Sequence, residues 1–408
     1  MTNPLTDPYF ILTKIYSDGA LLKQAISSTP MEELHRNRTV KIVYGVLEKD
    51  IYLSHCIACY APKSPKLAVR TVLKISLYMI LFMGKSRYMV TDNAVSLLKK
   101  LGKGGMSGFV NAFLRRFDQN EVPMSEGNEK LSLQYSYPRF AVEALVAQFG
   151  RARAEQIMAA ESKGVTVRFV RGEENYLGKE HVDAPFEKTY IFKNFTRDEN
   201  FFKGDYTFQS VGSIAICNGV EPCERLLDAC AAPGGKSVLL SEKCKTVTAF
   251  ELHAHRVKLI EEYTARMGVT NVTALQKDSS VYDENYRESF DGVLCDVPCS
   301  GMGTVCENPD VKLNKTAKTA HGLHQTQSAI LSACSTYVKP GGNLYYSTCS
   351  YLAEENDGVV GEFLCAHPEF SVAESTSPLP YERTKFGLQF LPDTAFGAGF
   401  YFCRLKKS

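Results

Sequence analysis

From Glu224 onward the chain alternates short apolar runs with helical stretches, and acids or small-residue turns close the runs. The runs cover residues 225–229, 246–250, 272–275, 292–295 and 343–347. Apolar strands separated by helices predict a parallel sheet covered on both faces, because parallel neighbours need a crossover connection. Such a sheet also fixes where a ligand binds, in the crevice at the carboxyl ends of its strands.

Residues 1–125 carry a different period. Val40, Val43, Tyr44, Val46 and Leu47 recur at helical spacing, and no strand alternation appears. Breaks at Ala61-Pro62, Gly84 and 102–105 divide this part into a bundle of several helices. Residues 119–130 are rich in Glu, Asn and Gly and read as a linker. The expected organisation is an all-α domain over 1–125, a small connecting α+β subdomain over 126–215, and a Rossmann-like α/β domain over 216–408. The connecting part should hold a helix over 140–149 and a strand near 165–170.

With 408 residues, 44% hydrophobic and 23% charged, the chain is excluded from the disordered and collagenous classes. Its longest apolar run, 75–83, is far short of the about 18 residues a membrane-spanning helix needs. The first ten residues hold Pro4, Asp7 and Pro8 rather than a basic-then-apolar leader, so a cytoplasmic protein is expected. Thirteen irregularly spaced cysteines suit free thiols in a reducing compartment. The net charge of +2 conceals a basic stretch: residues 51–116 hold 11 Lys or Arg against Asp92 alone, 11 − 1 = +10. That imbalance suits a polyanion as partner, although solvated helix faces would read the same way.

The first apolar run leads through Asp228 into Cys230, Ala231, Ala232, Pro233, Gly234, Gly235 and Lys236, with a helix expected over 238–244. Small residues at a strand-to-helix turn admit a ligand close to the backbone. Gly235-Lys236-Ser237 resembles the end of a P-loop, but the glycine required six residues before the lysine is Cys230, which argues against ATP. The turn also lacks the glycine spacing of a dinucleotide site. S-adenosylmethionine fits better, since it needs close backbone approach and acids rather than a pyrophosphate cradle. Glu251, about twenty residues after Asp228, stands where a carboxylate binds ribose hydroxyls. Asp278 and Asp296 follow two further strands; the lesser alternative for Asp278, before Ser279-Ser280, is a helix cap.

Cys299 in Asp296-Val297-Pro298-Cys299-Ser300-Gly301 and Cys349 in Ser347-Thr348-Cys349-Ser350 each lie just beyond a strand, in the expected crevice. A thiolate adding to carbon 6 of cytosine makes carbon 5 nucleophilic, so one hard step becomes several easier ones. Asp296 is placed to assist at ring nitrogen 3, and a second cysteine could help release the product. Spacing alone leaves open which cysteine attacks. Cys56 and Cys59 have metal-like spacing but lie in an apolar helix without a second pair, and His253 and His255 read as exposed helix-start residues. No metal is expected.

These motifs, with Asn308-Pro309-Asp310 and Leu388-Gln389-Phe390-Leu391-Pro392, resemble the Sun-type RNA cytosine-C5 methyltransferases, in particular bacterial enzymes acting on 16S ribosomal RNA. Tyr44-Gly45-Val46-Leu47 and Val110-Asn111-Ala112-Phe113-Leu114-Arg115-Arg116 are similar to a NusB-type RNA-binding domain. The resemblance implies that Cys349 is the nucleophile and Cys299 assists release. It also implies that Cys230 to Lys236, Glu251, Asp278 and Asp296 bind S-adenosylmethionine. Departures are Glu251 where the family more often has Asp, Val170 for an Asn after Arg168, Ser210 for an Asp after Gln209, and Ala398 before Gly399. The rival expectations are tRNA as substrate, and an RNA-binding assembly factor without activity. A monomer would suffice for the chemistry.

Overall fold

The computed structural model describes residues 3–313 and 315–408. Contacts gather the chain into two compact units, Met1–Glu143 with Asn308–Asn314 and Ala144–Glu307 with Lys315–Ser408.

The first unit is helical. Leu67–Leu81 is its central helix, buried on nearly every side from Val69 to Met79. It packs against Thr6–Asp18, Glu33–Glu48, Asp50–Tyr60 and Arg87–Lys100, as expected for a helix apolar all round. Gly45 is required at one crossing, where a Cβ would lie 1.9 Å from the Tyr78 ring. Residues 119–130, expected to be a linker, hold only a single turn of 3-10 helix before a new helix starts at Gly127. The Asn308-Pro309-Asp310 motif belongs to this helical unit: Asp310 accepts from the Leu22 amide at 2.9 Å. Buried Lys312 donates to the carbonyls of Glu48 (2.7 Å) and Ser136 (2.8 Å).

The second unit contains two sheets. Strands β1 (Val165–Phe169), β2 (His181–Asp183), β3 (Thr189–Phe192) and β4 (Tyr206–Phe208) form an antiparallel sheet in the order β2-β3-β1-β4. The larger sheet starts with β5 (Cys223–Asp228), β6 (Cys244–Glu251), β7 (Val272–Gln276), β8 (Phe290–Asp296) and β9 (Val338–Thr348). These five are parallel in the order β9-β8-β5-β6-β7.

Two expectations are corrected here. The sheet is mixed rather than parallel: β10 (Phe370–Val372), β11 (Glu382–Arg383), β12 (Leu388–Phe390) and β13 (Phe400–Lys407) extend it, all pairing antiparallel. The helix expected over 238–244 is instead Gly235–Leu240, and Cys244 opens β6. Among the described residues, no helix is long and apolar enough to cross a membrane.

Candidate active site

The parallel strand order changes direction between β5 and β8, so the loops after these two strands part and leave a crevice at their carboxyl ends. Asp228 ends β5 and Asp296 ends β8. β9 ends at Thr348, which delivers Cys349 to the same edge of the sheet.

A cavity of about 190 Å³ opens there. Of the expected ligand-binding residues, Cys230, Ala231, Ala232, Pro233, Gly235, Lys236 and Asp296 line it, joined by Asp228. Gly234 shapes the loop, at a φ of +104° that residues with a Cβ rarely adopt. Asp228 is 1% exposed, and its Oδ2 accepts from Ser237 Oγ at 2.7 Å. Its Oδ1 is buried without a partner among the described residues. Burial, augmented by the charge of Asp296, pushes this carboxyl up to about 6 against the hydrogen bond from Ser237. Asp296 accepts from Lys236 Nζ at 2.6 Å and from Ser347 Oγ at 2.7 Å. Burial pulls the Lys236 ammonium down, but Asp296 outweighs it and the net displacement is upward.

Glu251 and Asp278 do not line this cavity. Glu251 is 4% exposed and accepts from the His253 amide at 3.0 Å. It also pairs with Arg256 at 3.3 Å, and Arg256 donates to the Ala232 carbonyl at 3.2 Å. Asp278 is exposed and accepts from the amide (2.9 Å) and hydroxyl (2.6 Å) of Ser280. No helix begins at Asp278 among the described residues, so it is not the helix cap weighed against its cofactor role; its side chain instead closes a local turn. His253 and His255 are exposed. Cys56 is buried, whereas Cys59 is exposed with its sulfur 3.6 Å from His55 Nε2.

The structure brings the two candidate thiols into contact, with Cys299 Sγ 3.2 Å from Cys349 Sγ. The hydrogen bond to Cys349, then burial and the charge of Glu355, hold the Cys299 thiol far above its ordinary value. Neither sulfur lines the 190 Å³ cavity; Asp296 connects the two places, lining the cavity and bonding Ser347 two residues before Cys349.

Several polar residues here have no single-sequence signal, among them Tyr263, Gln327, Glu355 and Asn356. Gln209, noted only for its place beside Ser210, donates to the Gly235 carbonyl at 3.1 Å and accepts from Arg168 at 3.3 Å.

Comparison with known proteins agrees with this architecture. Residues 11–119 match the NusB family, and residues 216–406 match the family described as 16S rRNA methyltransferase RsmB/F. A probable ribosomal RNA small subunit methyltransferase B of Bacillus subtilis is 31% identical, over 95% of this chain and 94% of its own length. The crystal structure of PH0851 shares the fold with a TM-score of 0.86 at 22% identity, covering 100% of this chain and 99% of that one. NSun6 from Pyrococcus horikoshii, solved with SFG, gives a TM-score of 0.57 at 18% identity, over 67% of this chain and 99% of its own. With similarity running through both the helical and the sheet-based parts, the chain belongs to the ribosomal RNA small subunit methyltransferase B family and is an rRNA methyltransferase.

Proposed function

We propose that this enzyme methylates carbon 5 of a cytosine in 16S ribosomal RNA, through a covalent bond between Cys349 and ring carbon 6, with S-adenosylmethionine as donor. The observation that carries the reading is the 3.2 Å contact between Cys299 and Cys349 beyond the ends of β8 and β9.

The two thiols are not equivalent. The contact with its neighbour, then burial, hold the Cys299 thiol well above its ordinary value. The family resemblance assigns Cys349 as the sulfur that adds to carbon 6, and carbon 5 then becomes the nucleophilic atom of the ring. Hydrogen bonding at ring nitrogen 3 falls to the Asp296–Lys236 pair. After the carbon-5 proton is removed, the bond from carbon 6 to sulfur breaks and Cys349 is expelled, with Cys299 assisting.

The donor site is supported by the unpartnered Oδ1 of Asp228, a buried acceptor that suits a ligand carrying positive charge. Asp228, the turn from Cys230 to Lys236, Glu251, Asp278 and Asp296 would hold it. When bound, S-adenosylmethionine supplies a methyl group on a positively charged sulfonium. The SFG reported with NSun6 supports a ligand in a site of this fold. For the RNA, Lys99, Lys100, Lys103, Arg115 and Arg116 are exposed and form no ion pair among the described residues. Phosphate contacts there would make binding strongly salt-dependent. The target base must leave its stack to reach a thiol, at a cost of a few kcal/mol that a loop nucleotide reduces.

Two substitutions test the chemistry. Cys349→Ala is expected to abolish methyl transfer while S-adenosylmethionine still binds; retained turnover refutes the assignment. Cys299→Ala is expected to accumulate a protein–RNA adduct on denaturing gels, and free product without adduct removes its release role. Bisulfite sequencing of rRNA and tRNA from cells with and without the gene reads the substrate.

A further inference from the structure

The two thiols lie on separate loops, and a contact of 3.2 Å between loops needs something to hold it. Each cysteine is followed by a serine, Ser300 and Ser350, whose hydroxyls are 3.3 Å apart. Behind both loops the chain after β9 turns through a 3-10 segment, Ala353–Glu355, into the helix Asp357–Ala366. The adjacent residues Glu355 and Asn356, 0% and 2% exposed, face the two loops separately.

Glu355 grips the Cys299 loop with both oxygens. Oε1 accepts from the Ser300 amide at 2.7 Å and Oε2 from the Ser300 hydroxyl at 2.6 Å. Gln327 Nε2 closes the grip, donating to Glu355 Oε1 at 3.2 Å and to the Pro298 carbonyl at 2.9 Å. Asn356 grips the other loop. Its Oδ1 accepts from Thr348 Oγ1 at 2.6 Å, and its Nδ2 donates to the Ser350 carbonyl at 3.1 Å. Thr348 and Ser350 flank Cys349 as Pro298 and Ser300 flank Cys299. Gln389 reinforces the second grip, donating to the Ser350 carbonyl at 3.2 Å and accepting from Asn356 at 2.9 Å. The Tyr346 hydroxyl fixes the turn itself through the Glu355 carbonyl at 2.6 Å.

We propose that Glu355 and Asn356 are a pair of positioning residues that set the distance between the two sulfurs, one residue for each loop. The proposal rests on the two-thiol reading above. A buried carboxylate with no cation among its bonded partners is expensive, and it persists only where strong donors converge on it. Here two of those donors belong to Ser300, next to one thiol, and the third is Gln327 Nε2, which also holds the Pro298 carbonyl on the other side of that thiol. Two neighbouring residues on one turn cannot drift apart, so the loops they hold keep a common register. Neither side chain bonds to a sulfur among the described residues, so their action on the chemistry runs through the loops.

Sulfur spacing can be read without activity. A diazene oxidant such as diamide joins two nearby thiols: each thiol gives up a proton and an electron, one sulfur–sulfur bond forms, and the nitrogen–nitrogen double bond is reduced to a hydrazine. Cys223 and Cys244, 3.6 Å apart on β5 and β6, supply an internal reference in the same molecule. Peptide mapping of the full chain after brief oxidation gives the yield of the 299–349 bridge relative to the 223–244 bridge. In Glu355→Ala and Asn356→Ala this ratio is expected to fall roughly tenfold, and kcat for methyl transfer at least as much, with the KM for S-adenosylmethionine within about twofold. Glu355→Gln keeps an acceptor for the Ser300 amide and is expected to retain most of both. If Glu355→Ala does not fold, Glu355→Asp, with its grip drawn back by one methylene, takes its place with the same expected loss. An unchanged ratio in the alanine variants overturns the proposal, whatever happens to kcat. A lowered ratio with wild-type kcat leaves the grip standing and overturns the two-thiol reading instead.

Discussion

Each unit of the molecule places a lysine against an aspartate, and the two pairs differ in what surrounds them. In the helical unit Lys74, 5% exposed, lies 2.6 Å from Asp50, which also accepts from the Tyr16 hydroxyl at 2.5 Å. No polar side-chain atom of Lys74, Asp50 or Tyr16 is left buried without a partner among the described residues. Burial is the largest influence on Lys74 and its pKa is lowered, with Asp50 only partly opposing the change. In the sheet-based unit Lys236 and Asp296 are as close, at 2.6 Å, yet Lys236 moves upward. At Lys236 the charge and hydrogen bond of Asp296 outweigh burial and Asp228, with one oxygen unpartnered, adds a smaller contribution, whereas at Lys74 the charge of Arg70 adds to burial. One pair is complete within the chain and serves the fold. The other sits in an excess of negative charge that the chain leaves unbalanced, and such an excess suits a cationic ligand.

The largest effect that can break this comparison is on stability. Asp50→Ala strands the Lys74 ammonium in the helical core and is expected to cost about 3–5 kcal/mol in urea unfolding of the full chain. S-adenosylmethionine affinity of the folded fraction should be unchanged. Lys236→Met is expected to cost less, about 1–3 kcal/mol, because Lys236 and Asp296 retain side-chain exposures of 17% and 21% against 6% and 11% for Lys74 and Asp50. Methyl transfer should nevertheless fall by roughly 100-fold or more. Equal stability losses with activity retained in Lys236→Met would erase the distinction between the two pairs.

Asp228 sharpens it. Its folded pKa of about 6 lies above the ordinary 3.8, so its contribution to stability is full below about pH 4 and is lost as pH rises through 6. At neutral pH the ionised carboxylate therefore costs the free protein on the order of 1–3 kcal/mol. Asp228→Asn is expected to raise the melting temperature above pH 6 and to give no gain at pH 4. A positively charged ligand removes the same penalty, so S-adenosylmethionine should raise the wild-type melting temperature more at pH 7.5 than at pH 5. That difference should disappear in Asp228→Asn. A ligand-induced shift independent of pH in the wild type would show that Asp228 does not face the ligand's charge.

What the sequence discloses follows the range of the interactions involved. Helical periodicity in the first unit and the apolar runs of β5 to β9 are local, and both could be read directly, as could the acids that end the strands. The antiparallel half of the large sheet was not legible, because β13 pairs with β9 across more than fifty residues of chain and β10 to β12 span only two or three residues each. The same reason hid Asn308-Pro309-Asp310 among the helices: Leu22, the partner of Asp310, and Glu48 and Ser136, the partners of nearby Lys312, are far away in sequence. Cys299 and Cys349 were legible as candidates, since each follows a strand, but their contact was not. Glu355 and Asn356 left the least trace. They stand in the polar run Ala353-Glu354-Glu355-Asn356-Asp357, which reads as an exposed turn, and only the packed structure shows two of its members fully buried.

The smallest expected effect concerns a third cation–carboxylate contact, intermediate between the two lysine pairs because only one partner is buried. His324, with 12% of its side chain exposed, bonds the Glu354 carbonyl through Nδ1 (2.8 Å) and the Glu362 carboxylate through Nε2 (2.9 Å). Both partners are acceptors, so both ring nitrogens donate and the imidazole is cationic. Burial pulls its pKa down, but the bonds to Glu362 and Glu354 outweigh burial and the net direction is upward. Its contribution is therefore full below the unfolded value near 6.5 and is lost as pH rises through the higher folded value. Glu362 is 66% exposed, which limits the gain to roughly 0.5 kcal/mol. His324→Gln should be less stable than wild type by that amount at pH 6 and equal to it at pH 9. Because His324 holds the carbonyl one residue before Glu355, the 299–349 bridging ratio in wild type should decline slightly over the same pH interval relative to His324→Gln. A stability difference that persists at pH 9 would assign His324 to packing rather than charge.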